Sequence, residues 1–183
     1  MRDNITDFHT HTSHKSGAII NRYPGDERPE GYYYSVGIHP WYSAEVTPQM
    51  WQQLELDAAA PEVIAIGECG IDKLRGASLP VQTEIFRRHI LLSEALGKPL
   101  IIHCVRAIEQ IERLRTEMRP TQPWILHGFR GKPQQALQLL ARGYYLSTPP
   151  SHLATLRSQL LSSGSDPATL SSSLLPETDD SRS

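Results

Sequence analysis

Histidines and acids recur at one kind of place in this chain, the far end of a short apolar run. The first is Asp7-Phe8-His9-Thr10-His11. Alternate residues of a strand face the same way, so Asp7, His9 and His11 would share a face. Two imidazoles at i and i+2 can grip one metal ion, and imidazole suits several transition metals. His39 ends YYYSVGIH, Glu68 follows VIAIG, His103 ends PLIIH, His127 ends PWILH and Asp179 follows LLPET. Taken singly, each has an ordinary reading as a hydrogen-bonded core or surface residue. A carboxylate such as Glu68, once buried, needs a partner, and a cation supplies one. A random scatter of polar residues would rarely put so many metal-competent side chains at strand ends. His14, His89 and His152 fall in loops or helices, where a solvent-facing position is expected.

The elements that must position these residues can be read from periodicity and punctuation. Strands are expected over 5–9, 17–21, 32–39, 63–67, 99–103, 123–127, 143–147 and 174–179, the last weakened by Pro176. Helical signals fill the gaps. Thr47-Pro48 is an N-cap and first-turn pair for a helix to about Ala59. The stretch 80–96 keeps helical spacing and is stopped by Gly97. Further helices are expected over 106–118, from Lys132-Pro133 to Gly143, and over 151–163. Alternation of this kind implies a parallel sheet with helices packed outside it. The expected fold is therefore α/β, a compact (β/α) TIM-like barrel occupying 1–183 as a single domain. In such a barrel the C-terminal strand ends converge on one face, where active sites are built. The serine-rich stretch 162–173 is expected to be a flexible loop and 180–183 a disordered tail.

Composition narrows the classes. The chain has 183 residues, 39% of them apolar and 21% charged, with a formal net charge of -2. No basic excess advertises nucleic-acid binding, so any such binding must come from a local patch. Two cysteines, Cys69 and Cys104, make no disulfide framework and fit a reducing cytoplasm. No apolar run approaches the roughly 18 residues that a membrane span needs, so no membrane association is expected.

The motifs DFHTH, GIHPW, AIGECGID, LIIHCVRA, HGFRGK and ETDD occur in that order. Together, from about Ile5 to Asp179, they resemble the TatD family of metal-dependent nucleases and related hydrolases. The resemblance implies a barrel of the amidohydrolase type with one or two divalent ions. It implies that His9, His11, Glu68 and Asp179 hold one metal, and that Glu68 bridges to a second held by His103 and His127. Asp179 would also orient or deprotonate the attacking water. Family members include deoxyribonucleases and 3'-to-5' exonucleases, so the implied substrate is a DNA phosphodiester. Mixed histidine and carboxylate ligands suit zinc, manganese or, more weakly, magnesium. His39, Arg106, Arg130 and Lys132 lie near the expected site and could contact phosphates. The three basic residues fit equally well as solvated helix starts. Trp41 and Tyr42 could stack on a base or pack the rim of the barrel.

The chain departs from the family pattern in two places. Thr12-Ser13 follows the first histidine pair where an apolar residue and Asp or Asn are usual. The segment from His11 to His39 is also short, so the first helix is expected to be a loop. The sequence ends soon after Asp179, which leads to the expectation of a missing last helix and of a homodimer covering the exposed surface. Two other readings compete: a metal-dependent amide or ester hydrolase, and a truncated barrel without turnover.

Overall fold

The apolar runs pair in the order in which they occur. In a computed structural model describing residues 4–179 they form β1 (Asp7–Thr10), β2 (Ala18–Arg22), β3 (Tyr33–Val36) and β4 (Val63–Asp72). Then come β5 (Leu100–Val105), β6 (Trp124–Leu126), β7 (Tyr144–Thr148) and β8 (Leu174–Pro176). All neighbours are parallel, and the sheet order is the chain order. A parallel bridge between Thr10 and Thr178 returns the end of the sheet to its beginning, giving a nearly closed barrel. Asp7 fastens this seam. Its carboxylate accepts from the Thr178 N–H at 3.0 Å and the Thr178 hydroxyl at 2.6 Å, and the Lys15 ammonium lies 2.8 Å from it.

Helices α1 (Pro48–Ala59), α2 (Leu79–Leu96), α3 (Ile108–Met118), α4 (Pro133–Ala141), α5 (Pro150–Ser162) and α6 (Pro167–Ser173) cover the outside from β3 onward. Among the described residues no helix joins β1 to β2 or β2 to β3, as the short spacing from His11 to His39 leads one to expect. The Thr47 side chain caps α1, accepting from the Met50 N–H, and Gly97 ends α2 in the left-handed conformation. The stretch 162–173 needs a correction. It is not a loop throughout, because 167–173 forms α6. Asp166 caps it by accepting from the Thr169 N–H at 2.7 Å, with Pro167 in the first turn. The expected tail 180–183 lies outside the described residues.

Strand alternation builds the barrel interior in two layers. Ile19, Ala65, Ile101, Ile125 and Leu175 form one apolar cluster, the floor, with Tyr33 and Tyr145 packed against it. Their odd-out neighbours Ile20, Tyr34, Ile66, Leu100, Ile102, Trp124, Leu126, Leu146 and Leu174 belong to the larger cluster between sheet and helices. Two residues further along β2, β5, β6 and β8 the same inward parity brings Asn21, His103, His127 and Glu177 above the floor. Strand β4 breaks this rule usefully. Its pairing with β5 shifts register between Ile66 and Cys69. The shift turns Cys69 and Ile71 outward into the helix-facing cluster and brings Glu68, three residues after Ala65, to the interior.

His89 is the second correction. It is not solvent-facing but fully buried on the sheet side of α2. Its Nε2 accepts from the Ile38 N–H at 3.0 Å and its Nδ1 lies 2.8 Å from the Ile85 carbonyl, to which it donates. This neutral ring therefore holds the backbone just before His39. Burial pushes its pKa from 6.5 down to about 4. A depressed value means that the unfolded chain takes up the proton first. The stability tied to this ring is intact above pH 6.5 and drains away as pH falls through about 4, by about 3 kcal/mol in total. Urea titrations between pH 7 and 4 are expected to show this loss, and His89→Gln is expected to reduce the pH dependence over that window.

Candidate metal centre

Four strands deliver five imidazoles to the carboxylate of a fifth: β1, β3, β5 and β6 bring histidines at or just beyond their ends to Glu68 of β4. Glu68 Oε1 lies 2.7 Å from His127 Nε2, 2.7 Å from His103 Nδ1 and 2.9 Å from His39 Nε2. Glu68 Oε2 lies 3.3 Å from His9 Nε2 and 3.6 Å from His11 Nε2. Asp179 Oδ1 sits 4.0 Å from His11 Nε2 on the more open side. Three sets each bring one ligand atom per residue within 4.8 Å of one another: His9, His11 and Asp179; His9, Glu68 and His127; and His39, Glu68 and His103. His39 thus lies within the cluster, whereas the sequence suggests a phosphate contact for it.

The backbone around Glu68 explains how it reaches the centre. The Asn21 side-chain oxygen accepts from the Glu68 N–H at 2.7 Å and from the Ser35 hydroxyl at 3.3 Å. Gly67 and Gly70 flank the acid with φ of +139° and +140°. A Cβ on Gly67 would stand 2.4 Å from the Ile101 carbonyl oxygen, and one on Gly70 would stand 2.1 Å from that of His103. Only glycine lets β4 run this close to β5 in that conformation.

The electrostatics suit a cation. Burial would raise the Glu68 pKa, but His127, His103 and His11 hold it well below the carboxylate range. Burial and the neighbouring His127 lower the pKa of His9, and burial lowers that of His39 against the pull of Glu68. Burial also disfavours a charge on His127, yet the Glu68 carboxylate raises it to about 9. Both ring nitrogens of His9, Nε2 of His11 and Nδ1 of His127 are buried and make no hydrogen bond among the described residues. Imidazole nitrogens, several of them without a hydrogen-bond partner, gathered around one carboxylate form a donor set that a divalent ion would fit in place of the ring protons.

Two acids outside the expected set support the ring. Asp72 Oδ2 lies 3.1 Å from His103 Nε2 and accepts from the Trp41 indole N–H at 2.6 Å, while Oδ1 accepts from the Leu74 N–H at 2.8 Å. Burial opposes its charge, but these donors lower its pKa. An ionised Asp72 only accepts, so it fixes the His103 ring through Nε2–H and leaves Nδ1 as the ring atom that faces Glu68 and the cluster. Glu177, fully buried, accepts from the Gly128 N–H at 2.8 Å and the Ser147 hydroxyl at 2.7 Å, and lies 3.9 Å from His127 Nδ1. Its inward parity with Leu175 was available in the sequence; its partners were not. Asp72→Asn is expected to weaken divalent-metal affinity about 10- to 100-fold, measured by competition against a chelator, with the folded state retained.

The basic candidates separate. Arg106 and Arg130, both exposed, line a cavity of about 230 Å³ together with Cys104, His127 and Phe129. Lys132 is exposed at the start of α4 and is not among the residues lining that cavity. Trp41 packs the rim: its N–H is bonded to Asp72, and the Arg75 guanidinium lies 4.3 Å from its ring centre. No helix among the described residues is long and apolar enough to cross a membrane.

Comparison with known proteins identifies the family and the fold. The chain is 36% identical over 121 residues to a 3'-5' ssDNA/RNA exonuclease TatD of Cronobacter turicensis, an alignment covering 65% of this chain and 46% of the relative. It is 31% identical over 144 residues to the protein of that name from Salmonella typhimurium, covering 78% and 53%. The chain thus spans about half the length of the curated relatives it matches. Among solved structures, a TatD homologue from Escherichia coli superposes with a TM-score of 0.71 at 19% identity, covering 96% of this chain and 78% of that one. A TatD family hydrolase from Entamoeba histolytica gives 0.62 at 20% identity, covering 81% and 50%. These two show the fold. The family model described as TatD related DNase matches residues 6–181, and the chain belongs to that family.

Proposed function

We propose that this chain is a metal-dependent phosphodiesterase acting on nucleic acid, a deoxyribonuclease in the first instance. The observation that carries the reading is the convergence of five imidazoles, from strand ends far apart in sequence, on the single carboxylate of Glu68. His9, His11, Glu68, His103, His127 and Asp179 are the proposed ligands for one or two divalent ions, zinc, manganese or magnesium by donor type. His39 joins them through its place beside Glu68 and His103. Such an ion lowers the pKa of a bound water and neutralises a phosphoryl oxygen.

The side chains supply the rest. Glu68 remains ionised across the physiological range and gathers the ligands. Asp179, at the open side of the cluster, accepts the proton of the attacking water and orients it. Arg106 and Arg130 receive phosphate oxygens beside His127, and Lys132 adds positive potential further out. The unpaired thiols Cys69 and Cys104 suit a reducing compartment such as the cytoplasm. The test is a panel of single-stranded DNA, a simple phosphodiester, an amide and an ester, each assayed with added zinc, manganese or magnesium. Metal-dependent cleavage of the first two and not the others is expected. Turnover of the amide or ester alone would replace this reading with the other hydrolase, and metal binding without any turnover would replace it with a non-catalytic barrel.

A further inference from the structure

The mouth of the barrel is not chemically uniform. On the β5 and β6 side it carries Arg106 and Arg130 around the cavity next to His127. On the β2 and β3 side it carries aromatic rings. Tyr23 directly follows the C-terminal end of β2, and Tyr42 closes the 3-10 turn after His39. Their ring centres are 5.3 Å apart and the planes meet at 89°, an edge-to-face contact in which Tyr23 braces Tyr42. Tyr42 is 41% exposed although it is large and aromatic. Its ring centre lies 6.3 Å from that of His39, whose Nε2 touches Glu68 at 2.9 Å. Trp41, its neighbour, is already committed to Asp72 and Arg75.

We propose that Tyr42, held by Tyr23, is a stacking subsite for an unpaired nucleobase next to the bond being cleaved. This rests on the phosphodiesterase reading and deepens it. The base of a strand whose phosphate enters the cluster would lie toward β2 and β3, and its sugar-phosphate continuation toward Arg106 and Arg130. An aromatic face accepts any base, because every base offers a π-face. A base held in a duplex has no face to offer, so the subsite selects single strands without reading sequence. Tyr23 is half-buried and acts as a positioning residue for Tyr42.

The test is binding rather than turnover. A phosphorothioate oligothymidylate and an abasic strand of equal length and charge are titrated, with manganese present, against the wild-type chain and the variants Tyr42→Ala, Tyr42→Leu and Tyr42→Phe. The wild type is expected to prefer the base-bearing strand by about fivefold to a hundredfold. Tyr42→Phe should keep the preference, since stacking does not need the hydroxyl. Tyr42→Ala and Tyr42→Leu should bring it close to one, while thermal unfolding shows that each remains folded. Equal wild-type affinities for the two strands, or a preference that survives in Tyr42→Ala, would overturn the subsite and leave the phosphodiesterase reading standing. A wild-type chain that binds neither strand and cleaves no phosphodiester would overturn both.

Discussion

Glu68→Gln is expected to lower phosphodiester hydrolysis by about 10³-fold or more. Five imidazole nitrogens lie between 2.7 and 3.6 Å from the two Glu68 oxygens. The amide keeps the shape and removes the charge. It also places an N–H donor where one oxygen accepts, so part of the cluster would face a donor instead of a ligand. The raised pKa of His127 depends on this carboxylate and is expected to fall back with it. Bound metal, counted by atomic emission after purification in limiting metal, should drop in parallel with rate. Glu55→Gln on the exposed face of α1 is the matched control and should change neither. A Glu68→Gln protein that turns over at the wild-type rate would remove Glu68 from the centre.

The largest effect on stability is expected at Gly70. An alanine methyl there would sit 2.1 Å from the His103 carbonyl oxygen, on a backbone held at φ +140°. Two penalties combine: a conformation that L-residues avoid, and overlap with a strand that cannot withdraw without moving His103. Together they are expected to cost about 4 kcal/mol. Gly97 separates these effects. It also has a positive φ, +64°, but a Cβ there meets nothing within 4 Å. Gly97→Ala should cost only about 1 kcal/mol. Chemical denaturation of the two variants would show the gap, and equal losses would mean that close approach of β4 to β5 is not what Gly70 provides.

The strand ends were readable because alternation and apolar runs are local. His9, His103, His127 and Glu68 could each be placed at the end of a buried run without knowing what lay opposite. The inward turn of Glu68 was not readable, since it depends on a register shift against β5 that only the paired strand defines. Asp72 was missed for a related reason. It stands four residues after Glu68 in the same motif, but its role appears only when Trp41 and His103 are seen to meet it. His89 was misplaced although Ile85 and Ile90 mark its helix face as apolar; a histidine on such a face is buried when backbone groups satisfy both nitrogens, as Ile38 and Ile85 do. In 162–173 the serines concealed a helix start. Asp166-Pro167 carries the same cap and first-turn signature as Thr47-Pro48, and deserves equal weight despite its polar surroundings.

Anomalous diffraction from crystals soaked in manganese is the most direct measurement of the shared centre. Strong peaks are expected among the Glu68 oxygens and the side chains of His9, His11, His39, His103, His127 and Asp179. Full-occupancy metal elsewhere on the surface, with those imidazoles bonded only to one another and to water, would contradict it.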